Sequence, residues 1–384
     1  MRTPYYIFDA DQLLNRLETV RNAVPGIPVT YSIKANSFVT GIMSQAADHL
    51  EVCSPGELEI CRKLQVPAEK IIYSGVMKES ADVEEAVAIG AGILTAESPA
   101  HFQLIRQAAE KLEKNVQVLL RLSSGNQFGM DPDDILSVLQ NAGSSPRVSV
   151  MGFHYYSGTQ KKKAAQIGHD LDQLRTMIRR AREICGYEAE LIEYGPGLAA
   201  EYFKPEMQDI DLNLLMEAAP LMVEFAQEAP LGLEFGRFLA APCGTYYTRV
   251  KDLKTTDAIR YAILDGGIHH LKYYGQMMSM HQPPVHPEHD TDGERVPYCL
   301  CGALCTVSDV LVREIMLPEL HVGDVLVFEK YGAYSVTEAS ALFLSRDLPA
   351  VYLRQKNQLQ LVRRPLSTWE INCPDLTAYG EGKE

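Results

Sequence analysis

The sequence lacks the features that mark membrane proteins and nucleic-acid-binding proteins. No apolar run among its 384 residues is long enough to span a bilayer, and the opening stretch MRTPYYIFDADQLL lacks the pattern of a signal peptide. Lys and Arg number 36 against 50 Asp and Glu, and the net charge of -14 argues against a polyanionic partner, which needs a basic face. We therefore expect a cytoplasmic protein that binds neither nucleic acid nor membrane.

Metal-binding and disulfide patterns are missing as well. The eight cysteines are scattered, and in a chain of this size without an export signal they indicate reduced thiols. Cys299, Cys301 and Cys305, in CLCGALC, follow a C-x-C-x3-C spacing that is not usual for structural zinc. The histidines of MHQPPVHPEH lie among prolines and acids, which is typical of a solvated loop. We expect no metal.

What the sequence does contain is a large core and a repeating pattern. Hydrophobic residues make up 46% and charged residues 22%, as in soluble globular proteins. From about residue 28 to residue 240, helical stretches alternate with eight β-rich runs: VTYSIK, LEVCS, KIIYSG, GILTA, VQVLLRL, VSVMGFHYY, LIEYG and LGLEFGR. Eight strand–helix repeats predict a (β/α)8 barrel, and we assign residues 25–240 to it.

The pattern changes after Ala240. Short strands and turns with little helix predict a β-rich second domain, a barrel or sandwich, formed by residues 241–384. The first strand-like run, YYIFD, precedes the barrel, so we assign residues 1–24 to the same domain. Within it, the stretch from Tyr273 to Tyr298 is rich in His, Pro and acidic residues. It is expected to be a long structureless excursion.

Titratable residues recur at the ends of the predicted barrel strands. In such barrels, functional groups lie at the carboxyl ends of the strands. Lys34 ends the first run, Arg121 and His154 end the fifth and sixth, and Glu234 lies in the eighth. For a single lysine or histidine, a solvated or satisfied side chain is the ordinary interpretation. Their recurrence at one end of apolar strands predicts that they converge on one mouth.

Glycine-containing loops follow the seventh and eighth strands, where this architecture commonly binds phosphate through backbone N–H groups. They contain Gly195, Gly197 and Gly236, and Arg237 can add a charge-assisted contact. A phosphate on one side of the mouth and Lys34 on the other describe a phosphorylated aldehyde held as a Schiff base. Pyridoxal phosphate meets that description, and a carboxylate such as Glu234 would keep its pyridine nitrogen protonated.

Six motifs in order resemble one enzyme family. YSIKAN, VCSPGEL, GFHYYSGTQ, LEFGR, GALCTVSD and EKYGAYS look like the motifs of the alanine-racemase-fold decarboxylases, the pyridoxal-phosphate enzymes that include diaminopimelate and ornithine decarboxylases. The resemblance extends over nearly the whole chain. It implies a pyridoxal-phosphate-dependent amino-acid decarboxylase and a homodimer with shared active sites.

The resemblance also implies roles for individual residues. Lys34 matches the Schiff-base lysine, His154 the histidine that stacks on the ring, and Glu234 the partner of the ring nitrogen. Cys305 matches a proton donor that the β-rich domain delivers, with Tyr334, across the dimer interface. The phosphate-binding positions are matched by Ser157, Gly197, Arg237 and Tyr334. Thr306, Asp309 and Lys272 are the candidates for substrate binding, with a solvated side chain as the alternative for Lys272. Glu57 is a candidate to orient His154.

Two departures from the family pattern bear on cofactor and substrate. Pro196 replaces the middle glycine of the phosphate loop and has no N–H to donate. Thr306 stands where decarboxylases of basic amino acids have an acid that binds the distal ammonium of the substrate, so the selection for a cation is lost. Cys-Thr resembles instead the branch that acts on antibiotic and siderophore precursors.

We therefore expect decarboxylation of a non-standard or conjugated amino acid, amide-linked or tethered to a carrier protein, in secondary metabolism. Diaminopimelate decarboxylase itself is an alternative. An amino-acid racemase of the same fold is another, but racemases place an arginine at the ring nitrogen, and here the residue is Glu234. A non-enzymatic pyridoxal-phosphate carrier is disfavoured, because carriers of that type resemble the barrel alone, without a β domain or cysteine loop.

Overall fold

The chain forms two compact units. A computed structural model describes residues 1–142, 145–203, 210–275, 279–289 and 293–374. One unit comprises Gln12–Glu201 and Met207–Ala240, and the other comprises Met1–Asp11, Tyr202–Glu206 and Ala241–Glu384. Among the described residues, no helix combines the length and the apolar character that crossing a membrane requires. Strands are numbered β1–β17 and helices α1–α10 along the chain.

The first unit contains a closed barrel of eight parallel strands. Each strand pairs with the next, and the last strand pairs with the first through Thr30 and Glu234. The strands are Val29–Ser32 (β2), His49–Val52 (β3), Ile71–Tyr73 (β4), Ile93–Ala96 (β5), Val116–Leu122 (β6), Val148–Tyr156 (β7), Leu191–Gly195 (β8) and Leu231–Phe235 (β9). Seven of the eight lie entirely within the runs read from the sequence, and β3 begins one residue before its run, at His49. The predicted (β/α)8 barrel is confirmed.

Helices connect the strands of the barrel. They are Thr40–Ala46 (α2), Pro55–Lys63 (α3), Ser80–Ile89 (α4), Pro99–Lys111 (α5), Pro132–Ala142 (α6), Ala164–Cys185 (α7), Ile210–Glu228 (α8) and Arg237–Ala240 (α9). Two of them begin at a Ser-Pro pair: Ser54 Oγ accepts from the third N–H of α3 and Ser98 Oγ from that of α5. Each serine satisfies a backbone donor, and each proline stands where no intrahelical donor is needed.

Most of the first helix, Ala10–Ala23 (α1), belongs to the barrel unit, although residues 1–24 were expected to join the β-rich domain. The physical reason is an amphipathic face. Leu13, Leu17 and Val20 are buried, and Arg16 forms an ion pair with Asp211 of α8. A charged residue buried in this way needs such a partner, which fixes the helix against the barrel unit.

The second unit is built on a sheet with the strand order β14-β13-β11-β10-β1-β16-β17, and a short strand, β15, pairs with β10 and β12. Its strands are Tyr5–Asp9 (β1), Gly244–Thr256 (β10), Ile259–Leu264 (β11), Val285–Pro287 (β12), Arg295–Cys301 (β13), Val310–Pro318 (β14), Val325–Phe328 (β15), Ala350–Gln355 (β16) and Gln358–Arg363 (β17). Trp369–Asn372 forms a short helix, α10. Strand β1 lies inside the sheet, antiparallel to β10 and parallel to β16.

The sequence suggested that the stretch from Tyr273 to Tyr298 has no regular structure. Parts of it, however, form strands. Val285–Pro287 pairs with β15, and β13 begins at Arg295. This strand was not recognised in the sequence because Pro284 and Pro287 lie beside and within it, and proline usually weakens a strand prediction. Residues 276–278 and 290–292 of this stretch lie outside the described residues.

Candidate active site

Lys34 lies just past the carboxyl end of β2, in a single 3-10 turn formed by Ile33–Ala35. Its side chain is 38% exposed, while its neighbours Ile33 and Ala35 are buried. The Lys34 Nζ atom is 2.6 Å from Glu51 Oε2 and 3.3 Å from the Cys53 Sγ atom. The lysine therefore reaches the mouth of the barrel, where a carboxylate from the next strand holds its ammonium.

Glu234, on β9, is a buried carboxylate with three polar neighbours. Ser32 Oγ donates to Glu234 Oε1 at 2.8 Å, the His154 Nε2 atom lies 3.2 Å from Glu234 Oε2, and Lys34 Nζ lies 3.8 Å from Oε1. Burial alone would raise the pKa of Glu234. The charge of Lys34 and the contacts with His154 and Ser32 outweigh that effect and lower the pKa to about 2. Glu234 is thus a fixed anion at neutral pH.

His154 is buried at the end of β7 and uses one ring nitrogen on Glu234. Its Nδ1 atom has no hydrogen-bond partner among the residues that the structure describes, which is uncommon for a buried polar atom and points to a ligand. The suggestion that Glu57 orients this histidine is not realised. The Glu57 carboxylate instead accepts a 2.7 Å hydrogen bond from the backbone N–H of Cys53.

Three loops meet at the other side of the mouth. Gly197 has a φ of +61°, and a side chain there would place its Cβ 1.9 Å from the carbonyl oxygen of Gly158. The guanidinium of Arg237 is buried, and its Nε donates to Thr159 Oγ1 at 3.3 Å. The loops after β7, β8 and β9 therefore touch. Their glycines and the arginine form a cradle suited to an anion.

Gly195 and Gly236, which were predicted to lie in the phosphate-binding loops, allow close packing around this cradle. A Cβ at Gly195 would lie 2.7 Å from a ring carbon of Tyr156, and one at Gly236 would lie 3.2 Å from Ala35 Cβ and 3.3 Å from Ser32 Cβ. Gly236 thereby lets the turn after β9 approach the turn that carries Lys34. In both places the absence of a side chain brings backbone segments of the mouth together.

Ser157 belongs to a buried network that the sequence did not indicate. Its Oγ donates to the Asp170 carboxylate on α7 at 2.8 Å. Tyr194 OH donates to Asp170 Oδ2 at 2.8 Å, and the Lys161 ammonium donates to the same oxygen. Burial lowers the pKa of Lys161, and Asp170 works against that effect. The serine hydroxyl is therefore oriented by a carboxylate that has two other donors.

Other residues of the mouth were also missed. Glu51 pairs with Lys34 and also accepts a hydrogen bond from Cys53 Sγ at 2.7 Å. The hydroxyl of Tyr156 hydrogen-bonds to Thr159; burial raises the pKa of this tyrosine, and the Thr159 contact and the charge of Lys34 work against that effect. The alternation of LEVCS pointed to Glu51 facing inward. No local signal distinguished Tyr156 from the neighbouring Tyr155.

Arg121, expected at the mouth, forms an ion pair with Glu97 of the loop after β5, and both side chains are buried. Its guanidinium also lies 5.1 Å from the centre of the Phe128 ring. With its charge balanced in this way, Arg121 contributes to the packing of the loops around the barrel end.

A third carboxylate, Glu193 on β8, is fully buried inside the barrel. The Thr30 side chain lies near its carboxylate, and a Cβ at Gly232 would be 2.5 Å from its Oε2. Burial, with the nearby charges of Glu234 and Glu51, raises the pKa of Glu193 to about 8. The side chain is therefore protonated at neutral pH.

The raised pKa of Glu193 predicts a loss of stability with rising pH. The folded state keeps a proton that the unfolded state releases near its ordinary pKa of 4.5, so this contribution falls from about pH 4.5 to pH 8. The free energy of unfolding of Glu193→Gln should equal that of the wild type at pH 5. At pH 9 it should be higher by on the order of 3 kcal/mol. Urea unfolding of the cofactor-free proteins at both pH values measures this; a constant difference between the two proteins would refute it.

In the β-rich unit, Cys305 lies exposed in the loop between β13 and β14. Asp309, expected to contact substrate, is buried at the base of this loop, where it accepts from the N–H groups of Ile268 at 2.8 Å and Leu304 at 2.7 Å. Thr306 Oγ1 lies 2.9 Å from Ser308 Oγ. Through these hydrogen bonds, Asp309 stabilises the loop that carries Cys305.

The two remaining candidate residues lie elsewhere in the same unit. Tyr334 has a φ of +60°, and its carbonyl accepts from the N–H of Glu338 at 3.0 Å. A tyrosine in the left-handed region is unusual and is often found at functional positions. Lys272 is exposed, and its backbone N–H donates to Tyr331 OH.

No metal site is seen in the part of the chain that the structure describes: no group of three or more His, Cys, Asp or Glu side chains could hold an ion there. The Sγ atoms of Cys299 and Cys301 are 3.7 Å apart as free thiols.

The barrel mouth fits pyridoxal phosphate. An amine is available for the aldehyde at Lys34, and a permanent carboxylate for the ring nitrogen at Glu234. In the described part of the chain the Nδ1 atom of His154 has no hydrogen-bond partner, and the cradle of Gly197 and Arg237 suits the phosphate. An amine, an anion and a phosphate cradle thus lie at one end of one barrel, and these are the groups that this cofactor requires.

Comparison with known proteins agrees with the geometry. A family model described as the pyridoxal binding domain of pyridoxal-dependent decarboxylases matches residues 10–241. The chain is 28% identical to an L-glutamyl-(BtrI acyl-carrier protein) decarboxylase of Niallia circulans, an alignment covering 94% of this chain and 91% of that protein. It is 27% identical to the 2-[(L-alanin-3-ylcarbamoyl)methyl]-2-hydroxybutanedioate decarboxylase of Staphylococcus aureus, over 92% and 95% of the two chains.

Solved structures show the same fold. The crystal structure of diaminopimelate decarboxylase from M. jannaschii in complex with L-lysine superposes with a TM-score of 0.86 at 22% identity, covering 96% of this chain and 91% of that one.

Proposed function

This chain belongs to the pyridoxal-dependent decarboxylase family, and from that premise we propose that it decarboxylates an amino acid whose far end is conjugated to another group. The cofactor is pyridoxal phosphate. One observation carries the choice of substrate. Between Gly302 and Val310 the sequence has a single acid, Asp309, and its carboxylate is occupied by backbone N–H groups. Thr306, directly after Cys305, is neutral, so this loop offers no free anion to a distal ammonium.

The names of two relatives support this choice. One acts on a glutamyl group on an acyl-carrier protein, and the other on an alanine joined through a carbamoyl group to a hydroxybutanedioate. In both, an amide or a carrier link replaces a free charged end. We propose the same class of substrate here, in secondary metabolism of the antibiotic or siderophore type.

The residues of the mouth have separate tasks. When bound, pyridoxal phosphate supplies an aldehyde for the substrate amine and a ring that accepts the electron pair left by carbon dioxide. Lys34 would hold the aldehyde and return a proton when the product amine leaves. Glu234 would keep a proton on the ring nitrogen, because its own pKa of about 2 makes it a permanent anion. His154 would pack on the ring, and Ser157, Gly195, Gly197, Gly236 and Arg237 would surround the phosphate.

Glu51 has a task when substrate arrives. It holds the Lys34 ammonium at 2.6–2.8 Å, so it can keep the displaced amine beside the mouth. An amine kept this close to the reacting carbon acts at a high effective concentration.

We propose that the barrel unit binds the cofactor and that the β-rich unit supplies Cys305 and Tyr334 to the barrel of a second copy. Cys305 is exposed on its own unit, and Val307, two residues on, is 99% exposed. An apolar side chain so fully exposed beside a reactive thiol suits a loop that is covered by a partner. Cys305 would then donate the proton that replaces carbon dioxide at the α-carbon.

A cytoplasmic location is part of the proposal. All eight cysteines are free thiols. A reducing compartment suits such a set.

A substrate panel tests the choice of amino acid. The purified, cofactor-supplied enzyme is incubated with glutamyl and 2,3-diaminopropionyl groups in free, amide-linked and carrier-bound forms, and with free diaminopimelate, ornithine and lysine. Carbon dioxide release and product mass are measured. We expect a conjugated form to exceed the free basic amino acids in kcat/KM by at least about a hundredfold. Strong turnover of free diaminopimelate would overturn the interpretation of Thr306.

Mixing two inactive variants tests the shared site. Lys34→Ala and Cys305→Ala homodimers should each be inactive or nearly so. After subunit exchange at equal amounts, half of the dimers are mixed, and each has one intact site of two. Activity should therefore recover to about a quarter of the wild type. No recovery, despite mixed dimers seen by native mass spectrometry, would place Lys34 and Cys305 in one subunit's site.

A further inference from the structure

A buried ion pair lies directly behind the proposed phosphate cradle. Lys161 is 6% exposed and Asp170 is 3% exposed, and the ammonium donates to the carboxylate. Asp170 also accepts from Ser157 Oγ at 2.8 Å and from Tyr194 OH at 2.8 Å. Three donors from two elements, the loop after β7 and strand β8, therefore converge on a single carboxylate carried by helix α7.

The backbone of Lys161 joins the two loops of the cradle. Its N–H donates to the carbonyl of Gly197 at 2.9 Å, and its carbonyl accepts from the N–H of Ala199 at 3.0 Å. Gly197 approaches Gly158 so closely that a Cβ there would be 1.9 Å from its carbonyl oxygen. One residue thus fixes the spacing of both loops and places a positive charge behind them.

Asp170 poses an electrostatic problem for a phosphate at this cradle. A phosphate oxygen bound to Ser157 would lie two hydrogen bonds, about 5–6 Å, from a buried carboxylate. Two anions at that distance in a buried site repel each other strongly. Arg237 supplies one positive charge to the cradle, but Pro196 supplies no N–H, so a second cation beside Asp170 would lower this repulsion further.

Lys161 resolves the problem in two ways. Its charge cancels that of Asp170. It also remains, with Tyr194, as a donor to Asp170, so the single hydrogen of the Ser157 hydroxyl is free to turn from the carboxylate to a phosphate oxygen. Without Lys161, that hydrogen would be needed by Asp170.

We propose that Lys161 is a positioning residue that balances the charge of Asp170 and thereby makes the cradle of Ser157 and Gly197 accept the cofactor phosphate. The inference rests on the proposed function, because it takes the anion to be the phosphate of pyridoxal phosphate. It concerns residues that need not touch the cofactor.

Cofactor binding to four proteins tests the charge balance: the wild type, Lys161→Met, Asp170→Asn and the double variant. Dissociation constants of pyridoxal phosphate and of pyridoxal, which lacks the phosphate, are measured by absorbance and fluorescence titration of the cofactor-free proteins. Lys161→Met should raise the dissociation constant of pyridoxal phosphate by about ten- to a hundredfold and leave that of pyridoxal unchanged. In the double variant the two positions carry no net charge, as in the wild type. Its dissociation constant for pyridoxal phosphate should therefore lie within about threefold of the wild-type value.

The outcomes separate the possibilities. A double variant as weak as Lys161→Met, or an equal loss of pyridoxal, would show a merely structural role and overturn the inference. If Lys161→Met does not fold, the Asp170→Asn variant is the test. It leaves the charge of Lys161 unbalanced, so it should bind pyridoxal phosphate at least as tightly as the wild type, and weaker binding overturns the inference. A wild type that binds neither ligand would instead refute the proposed function, and the inference with it.

Discussion

Replacing Lys34 with alanine should lower kcat by about a thousandfold or more and abolish the near-visible absorbance of the bound cofactor. The side chain serves both as the anchor for the aldehyde and as a proton carrier, and loss of a positioned acid–base group alone costs about a hundred- to ten-thousandfold. The structure explains why no neighbour replaces it. Glu51, Cys53 and Glu234 surround its Nζ atom, and none of them is an amine.

Lys111→Ala is a matched control for this change. Lys111 also belongs to the barrel unit, but its exposed ammonium pairs with Glu84 on the helix surface, away from the mouth residues described above. Its loss should leave absorbance and kcat within about twofold of the wild type. If Lys34→Ala kept a covalently bound cofactor, the attachment would have to move to another lysine. Lys78 would be the first to examine, since burial lowers its pKa to about 8.

Glu234→Gln should lower kcat by about a hundred- to a thousandfold with a smaller change in cofactor affinity. The amide keeps the shape of the side chain and the contact with Ser32, but it removes the negative charge. A neutral partner no longer favours a proton on the ring nitrogen, and an unprotonated ring is a weaker electron acceptor. Single-turnover carbon dioxide release, compared with the cofactor dissociation constant, separates the two effects.

Glu193→Gln is the matched control for Glu234→Gln. Both are buried carboxylates on adjacent strands, but the pKa of Glu193 is raised to about 8 and that of Glu234 is lowered to about 2. Near pH 7 the change at Glu193 therefore removes a neutral acid and should affect kcat less than about threefold. Equal losses in the two variants would mean that kcat responds to packing in the barrel rather than to the charge of Glu234.

Much of the barrel could be predicted because its information is local. Its strands are short apolar runs that alternate with helices, and two of those helices begin at a serine cap, Ser54 and Ser98. The carboxyl ends of parallel strands meet at one end of a barrel, so Lys34, His154 and Glu234 could be placed together from their positions in those runs alone. Their convergence is seen in the 3.2 Å and 3.8 Å contacts of Glu234.

The supporting residues were missed because their partners are distant in sequence and their own contexts are ordinary. Glu51 meets Lys34 across 17 positions, and Asp170 meets Tyr194 across 24. Asp170 lies in the middle of an amphipathic helix, where an acid usually faces solvent. Only the three-dimensional packing shows that it is buried.

Asp309 illustrates a different limit. Motif resemblance suggested a substrate contact, but Asp309 is next to two glycines that leave room for its carboxylate, Gly267 and Gly302. A Cβ at Gly302 would lie 2.3 Å from one of its oxygens. The acid therefore fits into a glycine-lined space and binds backbone N–H groups. A motif gives the residue type, while the direction of the side chain depends on neighbours far along the chain.

Reductive trapping determines whether Lys34 carries the cofactor. The wild-type enzyme, supplied with pyridoxal phosphate, is treated with borohydride, which makes an amine-bound cofactor permanent, and its peptides are then mapped by mass spectrometry. A phosphopyridoxyl group on the peptide that contains Lys34, and at no other lysine in comparable amount, is the predicted result. An unmodified Lys34 peptide, or a cofactor found chiefly elsewhere, would contradict the account of this active site.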